Sequence, residues 1–147
     1  MKNKFIIGGV IVLFLVVAGI YFANNAQSPP QDTEEIKSEF TSITSDELEG
    51  MLSNKDFVLI DVHTPEQRHV PGTDFMAPYN EVEKIEPVLG NKDIKVVLYC
   101  RSGSMSKIAA QELADRGYTN VYELTGGLHD WTSRGRDTTA KGTVDKL

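Results

Sequence analysis

The sequence predicts an α/β fold, a mostly parallel sheet flanked by helices and preceded by one transmembrane helix. Three observations carry this. Two continuous apolar runs rich in β-branched residues, 57–62 and 95–99, have the composition of strands covered on both faces. The stretches between and after them hold apolar residues at helical spacing, and strands alternating with helices at such intervals build βαβ units. Nineteen residues without a charge, 5–23, are long enough as a helix to cross most of a hydrocarbon core about 30 Å thick.

The 147 residues suffice for one domain of ordinary size, and 40% apolar with 24% charged residues excludes a wholly disordered chain. Formal net charge is −6, and beyond residue 23 stand 13 basic against 21 acidic residues, which argues against binding a nucleic-acid backbone. The single cysteine, Cys100, excludes an internal disulfide. With three histidines at unrelated spacings, neither a metal site nor a cofactor is expected.

Residues 1–4 form a short N-terminus containing Lys2 and Lys4. The run 5–23 reads as an uncleaved signal anchor, because a cleaved signal has a shorter apolar core and a small-x-small site that residues 23–26 do not supply. Cleavage and secretion is the alternative. Basic residues before the run, with Asp32, Glu34 and Glu35 after it, put the N-terminus in the cytoplasm and the folded part outside it. Residues 24–39, polar and containing Pro29-Pro30, read as a tether.

Residues 40–43 read as a short extended stretch. Thr44 followed by Glu47 is a capping-box pattern ahead of a helix carrying Leu48, Met51 and Leu52. Beyond the strand 57–62, Asn80 with Glu83 offers a second cap. Val82, Ile85 and Leu89 then make a helical stripe closed by Gly90, with Pro87 limiting its regularity. Beyond the strand 95–99, Met105, Ile108, Ala109 and Leu113 predict the inward face of a helix ending at Gly117. Residues 121–124 read as a strand and Leu128 with Trp131 as a last apolar turn, so the folded domain spans 40–135. The tail 136–147 has little apolar content and is expected to fray.

Ligands of parallel sheets bind beyond the carboxyl ends of the strands. Cys100 falls there, immediately before a helix. A loop of this kind, residues 100–106, turns backbone N–H groups inward at a helix N-terminus, which favours bound anions and thiolates, and the thiolate is the nucleophilic form of cysteine. Gly103 permits a positive φ, Ser102, Ser104 and Ser106 supply hydroxyls, and Arg101 supplies a fixed charge. The competing reading of Cys100 is a buried hydrophobe finishing a core strand. Asp61 and His69 read as fold-holding groups, His63 and His129 as surface or loop residues, and Trp131 as core.

Several stretches, in order, resemble the rhodanese-like domains, single-domain sulfurtransferases of the thiosulfate-using kind. They are Leu59-Ile60-Asp61-Val62 with Thr64-Pro65-Glu66; His69-Val70-Pro71-Gly72; Cys100-Arg101-Ser102-Gly103 with Ser106; and Leu113 to Tyr118, Val121 and Thr125-Gly126-Gly127-Leu128 followed by Trp131. The resemblance spans residues 40–135. It implies a rhodanese-like fold in which Cys100 is catalytic, attacking the outer sulfur of a donor such as thiosulfate and releasing sulfite. The resulting persulfide passes its sulfane sulfur to cyanide or a thiol. It also implies that Arg101, Ser102, Gly103, Ser104, Met105 and Ser106 bind the substrate.

The chain departs from the family pattern in three places. His63 stands where Arg is common, the stretch between Glu66 and His69 is short, and Met105 stands where many active members carry Arg. Related phosphatases close a longer loop with Arg six positions after the cysteine, and that position here is Ser106. The partners implied are a small sulfur-containing anion, a thiol or cyanide acceptor, and the membrane. The alternative is a carrier or interaction module that keeps the fold without efficient turnover and works with another envelope protein. Met105 favours that alternative.

Overall fold

The computed structural model describes residues 39–147. The expected transmembrane helix 5–23 and the expected tether up to residue 38 lie outside the described residues. No helix among the described residues is long and apolar enough to cross a membrane.

Strand β1 (Thr41–Ile43) leads into helix α1 (Ser45–Leu52). The capping box is formed: the Glu47 N–H donates to the Thr44 hydroxyl, and the Thr44 N–H donates to the Glu47 carboxylate at 2.7 Å. The two apolar runs become β2 (Val58–Asp61) and, after the two-residue β3 (Phe75–Met76), β4 (Val96–Tyr99). Between β3 and β4 lie one 3-10 turn, Val82–Lys84, and a short helix α2 (Glu86–Leu89). The rest comprises α3 (Ser104–Asp115), β5 (Val121–Leu124), α4 (Gly127–Ser133) and β6 (Asp145–Lys146).

The single helix expected across Val82, Ile85 and Leu89 is therefore broken in two. Pro87 has no N–H to give the carbonyl of residue 83, so the first turn tightens and a new helix starts at Glu86. Asn80 is not the cap; Glu81 holds that position without a side-chain bond.

All six strands are parallel, in the order β1-β5-β4-β2-β3-β6. Period-two alternation sorts the central residues onto two faces. Ile60, Val62, Val96, Leu98, Cys100 and Val121 pack with Leu89 of α2 and with Ala109, Ala110 and Leu113 of α3. Leu59, Val97, Tyr99 and Leu124 pack on the other face with Leu48 of α1 and Trp131 of α4. Helices thus cover both faces, as the apolar strands require.

Two further expectations are corrected. On α3 the buried residues are Ser106, Ala109, Ala110, Leu113 and Ala114, while Ile108 is 54% exposed and Met105 half-buried. A polar side chain, Ser106, belongs to the inward face because the loop before it accepts its hydroxyl. The tail from residue 136 is also placed rather than frayed. Arg136 pairs with Glu49 at 2.8 Å and with Asp46, Thr139 pairs antiparallel with His69, and β6 pairs with β3. Leu147 then packs against the first core cluster. Backbone pairing, which a low apolar content does not reveal, holds this segment.

Candidate active site

Tyr99 is the last residue of β4, and Cys100 turns the chain toward α3 with only 1% of its surface exposed. The turn needs Gly103, which caps α3 with φ +93°. Its N–H points back and donates to the Cys100 sulfur at 3.1 Å. The Ser106 hydroxyl lies 3.6 Å from the same sulfur, 3.1 Å from the Gly103 carbonyl and 3.3 Å from a carboxylate oxygen of Glu123. With one proton to give, Ser106 chooses among these acceptors. No side chain caps α3, so the first-turn N–H groups keep their donor capacity.

Glu123 is fully buried on β5. Its carboxylate accepts from Ser42 at 3.0 Å and Thr125 at 3.2 Å besides Ser106, and the Lys107 ammonium lies 4.0 Å away. Hydroxyl donors and one nearby cation are what a buried carboxylate needs. The sequence reading passed over this residue. The available signal was strand alternation, which puts Glu123 on the same face as Val121, toward α3.

The loop is also gripped from below. Gly126 and Gly127, both at positive φ, turn β5 into α4, and the first N–H groups that follow serve the loop. Leu128 donates to the Cys100 carbonyl and His129 to the Arg101 carbonyl, each at 2.9 Å. The Gly-Gly pair thus fixes the backbone that carries the sulfur.

The expected loop residues separate into two groups. Cys100, Gly103 and Ser106 converge on the sulfur. Arg101, Ser102 and Ser104 are exposed, the two serine hydroxyls 3.4 Å apart, and Arg101 borders an open cavity. Met105 leans against the core cluster on the α3 side of the sheet.

A second polar network holds the neighbouring loop. Burial raises the pKa of the Asp61 carboxyl, opposed by hydrogen bonds from the His63 N–H, Gln67 and the His69 ring. His69, fully buried, sits 3.0 Å from Asp61 and 3.4 Å from Glu66. The Asp61 carboxylate thus accepts from three residues of the segment 63–69 and fixes that loop. Burial likewise raises the pKa of the Tyr99 hydroxyl, which accepts from the Val70 N–H at 3.0 Å and contacts Thr73 at 2.8 Å.

Backbone and hydroxyl donors thus surround a buried cysteine at the carboxyl end of a central parallel strand of an α/β scaffold. The family model of the Rhodanese-like domain matches residues 44–134, and the chain belongs to that family. It is 28% identical over 127 residues to YrkF of Bacillus subtilis, provisionally named a sulfur carrier protein, with 86% of this chain and 64% of that protein covered. The chain thus spans somewhat under two thirds of that relative. It is 28% identical over 111 residues to the thiosulfate sulfurtransferase GlpE of Pseudomonas fluorescens, covering 74% of this chain and 99% of GlpE. A crystal structure of a thiosulfate sulfurtransferase from Pseudomonas aeruginosa superimposes with a TM-score of 0.63 at 20% identity, over 76% of this chain and 22% of the other, a likeness of fold alone.

Proposed function

We propose that the protein is a membrane-tethered sulfurtransferase that carries sulfane sulfur on Cys100 as a persulfide. One observation carries the reading: the Cys100 sulfur receives the Gly103 N–H at 3.1 Å, with the Ser106 hydroxyl beside it, inside a loop whose backbone α4 clamps from below. Such donors stabilise a negatively charged sulfur, whether thiolate or persulfide. The thiolate attacks the outer sulfur of a donor such as thiosulfate, the sulfur–sulfur bond of the donor breaks, and sulfite leaves with its electron pair. Cyanide or a thiol then takes the outer sulfur. Arg101, Ser102, Gly103, Ser104, Met105 and Ser106 are the residues proposed to meet the donor. The likeness to GlpE supports turnover.

A second reading, a sulfur carrier or docking module without efficient turnover, is favoured by Met105 in place of a cation and by the likeness to YrkF. Its partner would be another envelope protein. The uncharged run 5–23 and the charge asymmetry around it support a single-pass anchor with the domain outside the cytoplasm. Protease added to intact cells or spheroplasts should then reach the domain; protection after the outer layer is opened would reverse the orientation.

The decisive experiment treats the full-length chain, purified in detergent, with thiosulfate and follows its mass. A gain of one sulfur atom that is absent from Cys100→Ser is expected, and continued release of thiocyanate with cyanide separates turnover from stoichiometric loading. Loading in Cys100→Ser would end the mechanism.

A further inference from the structure

A cavity of 420 Å³ opens beside the Cys100 loop. His63, Glu66 and Arg68 line it from the loop after β2, Arg101 from the loop after β4, His129 from α4 and Lys141 from the tail. The hydrogen bonds that tie its floor to the sulfur-bearing backbone are those of Leu128 and His129 to the Cys100 and Arg101 carbonyls. Anything seated in it lies against the residue next to the sulfur.

Size and charge specify the occupant. The volume falls within the range of pockets for small organic ligands, about 300–1,000 Å³, and a small inorganic oxyanion would leave most of it empty. Three cations, Arg68, Arg101 and Lys141, face one carboxylate, Glu66, in a chain whose formal net charge is −6. Glu66 is already engaged by the Gly142 N–H and by the His69 ring at 3.4 Å. Among the described residues Arg68 donates to the uncharged Thr138, at 2.6 Å to its hydroxyl and 3.0 Å to its carbonyl. Among the described residues none of the three cations forms a salt bridge, and Lys141 acts on Glu66 only at longer range.

We propose, building on the sulfurtransferase reading, that this cavity is the acceptor subsite and that the acceptor is a small thiol bearing carboxylates. Its carboxylates meet the cations, as guanidinium and carboxylate groups pair well in shape and charge. Its thiolate sulfur bonds to the outer sulfur of the Cys100 persulfide. The bond from that sulfur to Sγ breaks, and the electron pair leaves on Cys100 as its thiolate. No outside oxidant or reductant takes part.

The test compares two acceptors, mercaptosuccinate, with two carboxylates, and mercaptoethanol, with none, in full-length protein and in Lys141→Gln, Lys141→Glu and Arg68→Gln. Taking the ratio of kcat/KM for the two thiols in each protein cancels their intrinsic reactivity. Wild type should prefer mercaptosuccinate. Lys141→Glu should cut the preference roughly fivefold to tenfold, through KM, and added salt should erode it. Lys141 is exposed, so its variants should fold even if Arg68→Gln loosens the tail. An unchanged ratio in the Lys141 variants overturns the proposal.

Binding separates this proposal from the reading beneath it. Mercaptosuccinate titrated into Cys100→Ser should shift the NMR signals of His129 and Lys141. Such binding without any sulfur transfer would sink the sulfurtransferase reading and keep the ligand class. Sulfur transfer with no such binding would do the reverse.

Discussion

Gly127 and Cys100 meet backbone to backbone. A Cβ on Gly127 would overlap the Cys100 carbonyl oxygen and the carbonyl group of Arg101, and Gly127 itself holds φ +56°. Gly127→Ala must therefore push the loop away or shift α4, at a cost of roughly 1–3 kcal/mol from backbone strain and overpacking. A lower Tm and weaker sulfur loading are expected in a variant that still folds. If both match wild type, the Gly-Gly turn does not set the position of the loop.

Tyr99→Phe is a test of the other face. The lost hydroxyl leaves the buried Val70 N–H without its acceptor, which costs about 1–3 kcal/mol. Urea denaturation should show a lower midpoint with unchanged slope, since the surface exposed on unfolding is the same. Equal midpoints would mean that another acceptor replaces the hydroxyl.

Met105 is half-buried against the core at the second position of α3. Arg at this position can keep its stem on the core and carry its head outward. A charge-assisted bond to thiosulfate contributes about 1.5–3 kcal/mol, so Met105→Arg should improve kcat/KM roughly 10- to 150-fold, mainly through KM. Lost packing should lower the Tm slightly. Unchanged kinetics in a stably folded variant would place this side chain out of reach of the donor.

The tail is tied to the domain through a titrating group. The Gly142 N–H, with smaller contributions from His69 and Lys141, holds the Glu66 carboxyl below its ordinary pKa against a desolvation effect that raises it. A lowered value in the folded state means that this link stabilises above the ordinary glutamate pKa and is lost as pH falls through the lowered one. The Gly142 amide signal should therefore titrate in that acidic window, and Glu66→Gln should abolish the titration. A flat profile in wild type would show that Glu66 does not hold the tail.

What was legible in the sequence was what is local. The Thr44 to Glu47 box sits within one helical turn, and the strand that leads into Cys100, Val96–Tyr99, is an unbroken apolar run. Phe75–Met76 and Asp145–Lys146 are strands only because partners stand beside them, and two residues leave no periodicity to read. The phase of α3 departs from its apolar stripe because Ser106 and Glu123 are polar and buried as a pair, one satisfying the other across 17 residues of sequence. The cavity was hidden for the same reason, since Arg68, Arg101 and Lys141 are joined by topology and not by spacing.

The edge strand β6 has a consequence for solubility. An unpaired strand edge is a template on which other chains can add themselves, and proteins blunt such edges with short strands and charged side chains. β6 has two residues, Asp145 and Lys146, both exposed and of opposite sign, and it covers the backbone of Phe75 and Met76. A chain ending before Asp145 would present those two apolar residues at the rim of the sheet. Such molecules would meet edge to edge, so the protection of this rim against aggregation resides in two residues with no part in the chemistry.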